Sequence, residues 1–306
     1  MSKKLSTRSK LVVIVGPTAS GKSALAITLA RKLNGEIVSA DSRQIYREMD
    51  IGTAKPTRKE LAFIPHHLIG IKNPDENYTA AEYKRDALKA IKKVLKRKCL
   101  PILVGGTGLY IKAITDNLQI PEVKPDLKLR HKLEKEIEKH GLNFVFKKLI
   151  QLDPEAAYIV DPKNPRRIIR ALEIVLKTKK PFSAQRSSGK PLFNFIEIGI
   201  KIPMIELGAR IGRRVDEMVK QGLVKEVEIL IKKYGEFQQS FDAIGYREII
   251  GYMDRKISLT EAIDLIKKNT RQYAKHQMTW FSKDKRIHWV KNQKQVEKLI
   301  RKFLNK

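Results

Sequence analysis

The chain has 306 residues, enough for one large domain or two smaller ones, and an ordinary apolar fraction of 42%. Lys and Arg number 63 against 33 Asp and Glu, a formal net charge of +30, which favours a polyanionic partner such as nucleic acid, although basic residues run along the whole chain. A single cysteine, Cys99, excludes a disulfide framework and a zinc cluster and fits a reducing cytoplasm; no apolar run reaches membrane-spanning length, and the histidines show no metal-ligand spacing.

Residues 11–15 read as a β-strand and run straight into Gly16-Pro17-Thr18-Ala19-Ser20-Gly21-Lys22-Ser23. The spacing G-x-x-x-x-G-K-[ST] is that of a phosphate-cradling P-loop. Its glycines let the backbone turn tightly and aim N–H groups at phosphate oxygens. Lys22 adds a charge, and the Ser23 hydroxyl suits Mg²⁺. A helix follows over 22–33, closed by Asn34-Gly35 with Gly in the left-handed position. The next strand, 36–40, ends at Asp41. Helical periodicity spans 80–97, and 100–104 reads as a buried strand that ends in Gly105-Gly106-Thr107-Gly108. Apolar strands alternating with helices predict an α/β fold, a P-loop NTPase-like parallel sheet flanked by helices. Ligands of such sheets sit at the carboxyl ends of the strands, so the P-loop, Asp41 and Thr107 are expected in one crevice.

After Asp116 the texture changes. Pro121 and Pro125 flank a linker-like stretch, and helices follow over 126–140, over 142–151 and from Asn164-Pro165, an Asn cap with Pro at the first helical position. Residues 193–202 are strand-like and suit a return to the sheet. The predicted division is a catalytic core of 1–116 and 203–306, with 117–202 an inserted, mostly helical domain. Ser258-Leu259-Thr260-Glu261 is a capping box that opens a long basic helix through Trp280, and a short amphipathic helix covers 296–304. Nothing reads as a coiled coil or an apolar seam, so a monomer is expected.

The strand before Gly105 lacks the terminal Asp that holds Mg²⁺ in P-loop ATPases and kinases. The acid stands instead at Asp41, where it suits either a water-bridged metal or proton abstraction. A lone Asp there is usually a turn residue; beside Ser42-Arg43-Gln44 and a P-loop it reads as functional. Gln44 and Arg43 are of the types that read base edges, although a solvated loop explains them equally. Arg166, Arg167 and Arg170 suit either a phosphate grip or an exposed helix face. Arg210 and Arg214, one turn apart, suit a diphosphate clamp or ion pairs with Asp216 or Glu217.

These residues, in order, resemble the bacterial tRNA dimethylallyltransferase (tRNA isopentenyltransferase) family. The resemblance rests on the P-loop, on Ser39-Ala40-Asp41-Ser42-Arg43-Gln44-Ile45-Tyr46, on Ile51-Gly52-Thr53-Ala54-Lys55-Pro56 and on Gly105-Gly106-Thr107-Gly108-Leu109-Tyr110. It extends through Asn164-Pro165-Arg166-Arg167, Arg213-Arg214-Val215-Asp216, Ala243-Ile244-Gly245-Tyr246-Arg247-Glu248, and Arg271-Gln272-Tyr273-Ala274-Lys275 with Gln277-Met278-Thr279-Trp280. It implies transfer of a dimethylallyl group from dimethylallyl diphosphate to N6 of the adenosine 3′ of the anticodon, in tRNAs reading codons that begin with U. The P-loop then holds the diphosphate with Mg²⁺, and no ATP need be cleaved. By family position Asp41 is the general base, Thr107 bonds near the bridging oxygen, and Lys22 and Arg214 contact diphosphate. Contacts to the tRNA anticodon stem-loop fall to Asp41, Ser42, Arg43, Gln44 and Thr107. Others fall to Arg130, to Arg166, Arg167, Ile168, Ile169 and Arg170 of the insert, and to Gly245, Tyr246 and Arg247. Ser23 stands where the family often has Thr, and His276 where it commonly has Arg. The chain ends without the Cys/His finger of eukaryotic relatives, as in the shorter bacterial form. On the residues alone, two rivals remain: a P-loop kinase of a small metabolite or nucleoside, and an RNA-binding protein with a vestigial P-loop.

Overall fold

The computed structural model describes residues 8–185, 187–236 and 238–305, and they form two units. One unit takes the chain through Thr115 and again from Pro191. The first half of that unit runs β1 (Lys10–Val15), α1 (Lys22–Lys32), β2 (Gly35–Ala40), α2 (Arg58–Phe63), β3 (His66–His67), α3 (Ala80–Lys96), β4 (Leu100–Gly105) and α4 (Gly108–Thr115). Alternate strand residues explain its layers. Leu11, Val13, Val15, Val38 and Leu103 face Tyr83, Ala87 and Ile91 of α3 and Ile111 of α4. Val12, Ile14, Ile37 and Ile102 face Ala26, Leu29 and Ala30 of α1. Such apolar runs, buried on both faces, are the pattern of a parallel sheet.

The other unit, Asp116–Lys190, is helical: α5 (Leu127–His140), α6 (Leu142–Leu152), α7 (Ala156–Ile159) and α8 (Pro165–Thr178). Asn164 caps α8 by accepting from the Arg167 N–H, with Pro165 at the first helical position, as the sequence predicts. Leu133, Val145, Leu149, Ile168 and Leu172 form its core.

The chain re-enters the sheet as β5 (Asn194–Ile200), and then runs α9 (Met204–Lys220), α10 (Leu223–Tyr234), α11 (Tyr246–Met253), α12 (Leu259–Phe281), β6 (Ile287–Val290) and α13 (Gln293–Leu304). The strand order is β3-β2-β4-β1-β5-β6, parallel throughout. The predicted insert limit of 202 is therefore corrected. Lys10 pairs with Asn194 and Val15 with Gly199, so the strand-like stretch belongs to the sheet and the helical unit ends at Lys190. A second correction concerns the end of α1. Asn34 takes the left-handed conformation at φ 48°, and Gly35 opens β2, where a Cβ would meet the Leu100 carbonyl oxygen at 2.9 Å.

Register sets the site. Gly105 at the end of β4 pairs with both Val15 of β1 and Ala40 of β2. The P-loop, Asp41 and the Gly106–Thr107 turn therefore leave the sheet side by side. Helices α9 to α12 share a separate core, built on Leu207, Ile211, Val215, Val227, Tyr246 and Ile266 together with Ile45 and Met49 of the loop after Asp41.

Candidate active site

The loop after β1 is built as its spacing predicts. Gly21 takes φ 87° at the N-cap of α1, a left-handed conformation costly for a residue with a Cβ. The Ser20 N–H donates to the Pro17 carbonyl at 3.3 Å, and Lys22 Nζ donates to the same oxygen at 3.1 Å. Arg214, on α9, donates to Thr18 Oγ1 at 3.3 Å. Burial pushes Lys22 down to about 8; the Asp41 charge opposes that shift and Arg214 adds to it. Burial also lowers Arg214, again against Asp41. Two desolvated cations thus share one nearby carboxylate, a local surplus of positive charge that an anion would relieve. Thr18, Lys22, Ser23, Asp41 and Arg214 line a cavity of about 470 Å³, and a second cavity of about 330 Å³ lies along Ala19–Ala24, Arg210 and Arg214. Arg210 ion-pairs with Glu206 at 2.6 Å, one turn earlier on its own helix.

The two oxygens of Asp41 have different surroundings. Oδ1 accepts from the N–H groups of Arg43, at 2.8 Å, and Gln44, at 3.3 Å, which folds the turn. Oδ2 takes no hydrogen bond from the described residues, and the side chain lines the larger cavity. Thr107 is held beside it: its N–H donates to the Ala40 carbonyl at 3.2 Å, and its Oγ1 accepts from the Ser42 N–H at 3.1 Å.

The expected base readers are otherwise occupied. The Arg43 guanidinium donates to the carbonyls of Gln239 and Ser240, both at 3.2 Å. Gln44 Nε2 donates to the Thr53 and Ala54 carbonyls at 3.3 and 3.0 Å. Both side chains brace the loops that wall the cavity. Gly245 and Arg247 line that cavity, and Arg247 Nε donates to Glu248. Tyr246 is fully buried and donates to Glu226 at 2.7 Å. Glu226 also accepts from the N–H groups of Asp50, Ile51 and Gly52, so one carboxylate shapes the loop at 50–52.

Within the helical unit, the four predicted arginines divide into two pairs. Arg130 grips Glu173 through two parallel bonds of 2.9 and 2.8 Å, and Arg170 donates to the same carboxylate and, at 2.9 Å, to the Val123 carbonyl. Glu173 is fully buried. Burial alone would raise its pKa, but Arg130, the Asp126 N–H and Arg170 outweigh burial and hold it below the usual carboxylate range. Arg166 and Arg167 are exposed, whereas the side chains of Ile168 and Ile169 are in the core.

Comparison with known proteins decides the family. The IPP transferase family profile matches residues 44–284. The tRNA dimethylallyltransferase of Halothermothrix orenii is 43% identical over 308 residues, covering 97% of this chain and 94% of that protein. The tRNA dimethylallyltransferase of Caldanaerobacter subterraneus subsp. tengcongensis is 47% identical over 92% of this chain and 91% of its own length. The chain belongs to the tRNA dimethylallyltransferase family. The crystal structure of the full-length tRNA isopentenylpyrophosphate transferase from Bacillus halodurans matches with a TM-score of 0.73 at 40% identity, over 97% of both chains. A eukaryotic dimethylallyltransferase acting on tRNA matches with a TM-score of 0.76 at 30% identity, over 92% of this chain and 74% of that one.

The sequence reading gave no role to three polar residues of this tRNA dimethylallyltransferase-family chain: Gln277, Glu226 and Glu173. Each has at least one partner 43 or more positions away, which no local spacing announces. Ser23 lines both cavities, and the described residues contain no cluster of three His, Cys, Asp or Glu suited to a metal. One hydroxyl beside an anion cradle is a donor set that fits Mg²⁺, which keeps several waters and takes the rest of its ligands from substrate phosphates.

Proposed function

We propose that this protein transfers the dimethylallyl group of dimethylallyl diphosphate to N6 of adenosine 37, 3′ of the anticodon, in tRNAs reading codons that begin with U. The products are N6-isopentenyladenosine and diphosphate, and the protein works as a cytoplasmic monomer. The observation that carries this reading is the surplus of buried positive charge at Lys22 and Arg214, set beside a carboxylate with one free oxygen. No described helix is long and apolar enough to cross a membrane.

The allylic carbon becomes electron-poor as its C–O bond breaks, and the departing diphosphate gains negative charge at the same moment. Lys22, Arg214 and the P-loop N–H groups stabilise that charge where it develops. Thr107, held by Ser42 and Ala40, hydrogen-bonds the bridging oxygen. The N6 lone pair forms the new N–C bond, and Asp41 Oδ2 accepts the proton that N6 gives up, an effect worth about 10² to 10⁴ in rate. Ser23 would help hold Mg²⁺, which would supply further charge neutralisation. The adenine must leave the anticodon stack to reach the cavity. Arg166 and Arg167 of the helical unit bind tRNA phosphates, while Arg130 and Arg170 hold that unit in shape.

A phosphotransferase has less support. The sheet strand that would carry its metal-holding acid ends at Gly105 and is followed by Gly106 and Thr107. The decisive assay follows inorganic pyrophosphate. Release that needs tRNA, dimethylallyl diphosphate and Mg²⁺ together, with ATP left intact, is the expected result. ADP formation without pyrophosphate would overturn the reading.

A further inference from the structure

Helix α12 carries a buried amide that ties two loops of the site together. Gln277 is 6% exposed. Its Oε1 accepts from the Thr18 N–H of the P-loop at 2.8 Å, and its Nε2 donates to the Gly106 carbonyl at 2.9 Å. The two bonds cross 259 and 171 positions of sequence. The Gly106 turn packs closely against this face of α12. A Cβ on Gly106 would lie 2.1 Å from Gln277 Nε2, and a Cβ on Gly108 would lie 2.1 Å from Trp280 Nε1. Gln277 and Trp280 are one helical turn apart, so a single face of α12 seats the turn that carries Thr107. Tyr273, one turn earlier, also lines the cavity.

We propose that Gln277 is a positioning residue for the transfer reaction. Acting through the backbone at Thr18 and Gly106, it sets the spacing between the diphosphate cradle and the Thr107 hydroxyl. The role rests on the P-loop being the prenyl-donor cradle. The chemistry requires an amide. One end must accept and the other must donate, because the amide bridges a backbone N–H and a backbone carbonyl. A methionine of similar length leaves the Thr18 N–H and the Gly106 oxygen both unmet. A glutamate satisfies both partners only while protonated, because its ionised form places a second acceptor against the Gly106 oxygen and a negative charge beside the departing diphosphate.

The test compares Gln277→Glu, Gln277→Met and the wild type by kcat/KM for dimethylallyl diphosphate across pH 5.5 to 8.5, with tRNA affinity measured on each protein as the check of folding. Gln277→Met should lose at least about tenfold at every pH and keep its tRNA affinity. The Gln277→Glu rate, divided by the wild-type rate, should be highest at low pH and fall by up to about tenfold per pH unit above the pKa of the new carboxyl. A flat ratio overturns the proposal, and so does a fully active Gln277→Met. If Gln277→Met does not fold, the pH dependence of Gln277→Glu still decides. A wild type that makes no prenylated adenosine overturns the prenyl-transfer reading itself, and this role with it; a flat ratio beside an active wild type overturns the role alone.

Discussion

Arg214 donates to Thr18 Oγ1 at 3.3 Å from the opposite wall of the cavity, and so places a second cation beside Lys22. In the proposed function the loop supplies one half of the anion cradle and α9 the other. Neither cation forms an ion pair with an acid among the described residues, and Asp41 spends one oxygen on its own turn. In the proposed function a diphosphate completes what the protein leaves unbalanced.

Removing one of these cations should therefore act on the leaving group. Arg214→Ala is expected to lower kcat/KM for dimethylallyl diphosphate by about 10² to 10³ while tRNA affinity stays near normal. Arg214→Lys should recover only part of the loss, because a point charge cannot reproduce the planar fork of a guanidinium. Steady-state kinetics with the donor varied, alongside tRNA binding by filter retention, measures both.

Asp41→Asn separates the turn from the chemistry. The asparagine keeps Oδ1 as the acceptor for the Arg43 and Gln44 N–H groups, but loses the basic oxygen. Turnover should fall at least about a hundredfold with tRNA binding retained. Single-turnover rates that match the wild type would remove Asp41 from the role of base.

Lys22 gives a pH dependence with a definite sign. Its pKa in the free site lies near 8, below the ordinary 10.5, because burial disfavours the charged form. A bound diphosphate favours the charged form and raises the pKa again. Donor affinity should thus be complete below pH 8 and decline as the pH rises through 8, and binding near that pH should take up protons. Calorimetry of diphosphate binding in buffers of different ionisation enthalpy reads the uptake. Proton release, or none, contradicts the assignment.

The arginines of the helical unit should split by phenotype. Arg166→Ala and Arg167→Ala are expected to weaken tRNA binding, and each should flatten the salt slope by about one unit. Arg130→Ala should instead destabilise the unit by about 1 to 3 kcal/mol, since it strips two bonds from the buried Glu173 carboxylate. Thermal unfolding and salt-dependent binding, run on the same four variants with Arg170→Ala included, tell the two pairs apart.

Much of the sheet was legible because its signals are local. The P-loop spacing, the apolar runs of β1, β2 and β4, the Asn164-Pro165 start and the Ser258–Glu261 box each lie within a few residues, and the structure contains all of them. What stayed hidden depends on partners distant in the chain. His66–His67 becomes an edge strand only because Ile37 and Val38 lie beside it. Arg43, Gln44 and Tyr246 look like recognition residues in the sequence, yet the fold spends their polar atoms on Gln239, Ser240, Thr53, Ala54 and Glu226. Arg130 and Arg170 were indistinguishable from surface arginines until Glu173 was placed between them. Asp41 meets its turn reading with Oδ1, and its proposed role as base rests on Oδ2.

The most direct measurement is mass spectrometry of nucleosides from tRNA incubated with the purified protein, Mg²⁺ and dimethylallyl diphosphate. The account predicts one prenylated adenosine per tRNA molecule, located 3′ of the anticodon and absent with Asp41→Asn. Unmodified adenosine at that position in a U-codon-reading tRNA, under conditions where the protein binds both substrates, would contradict it.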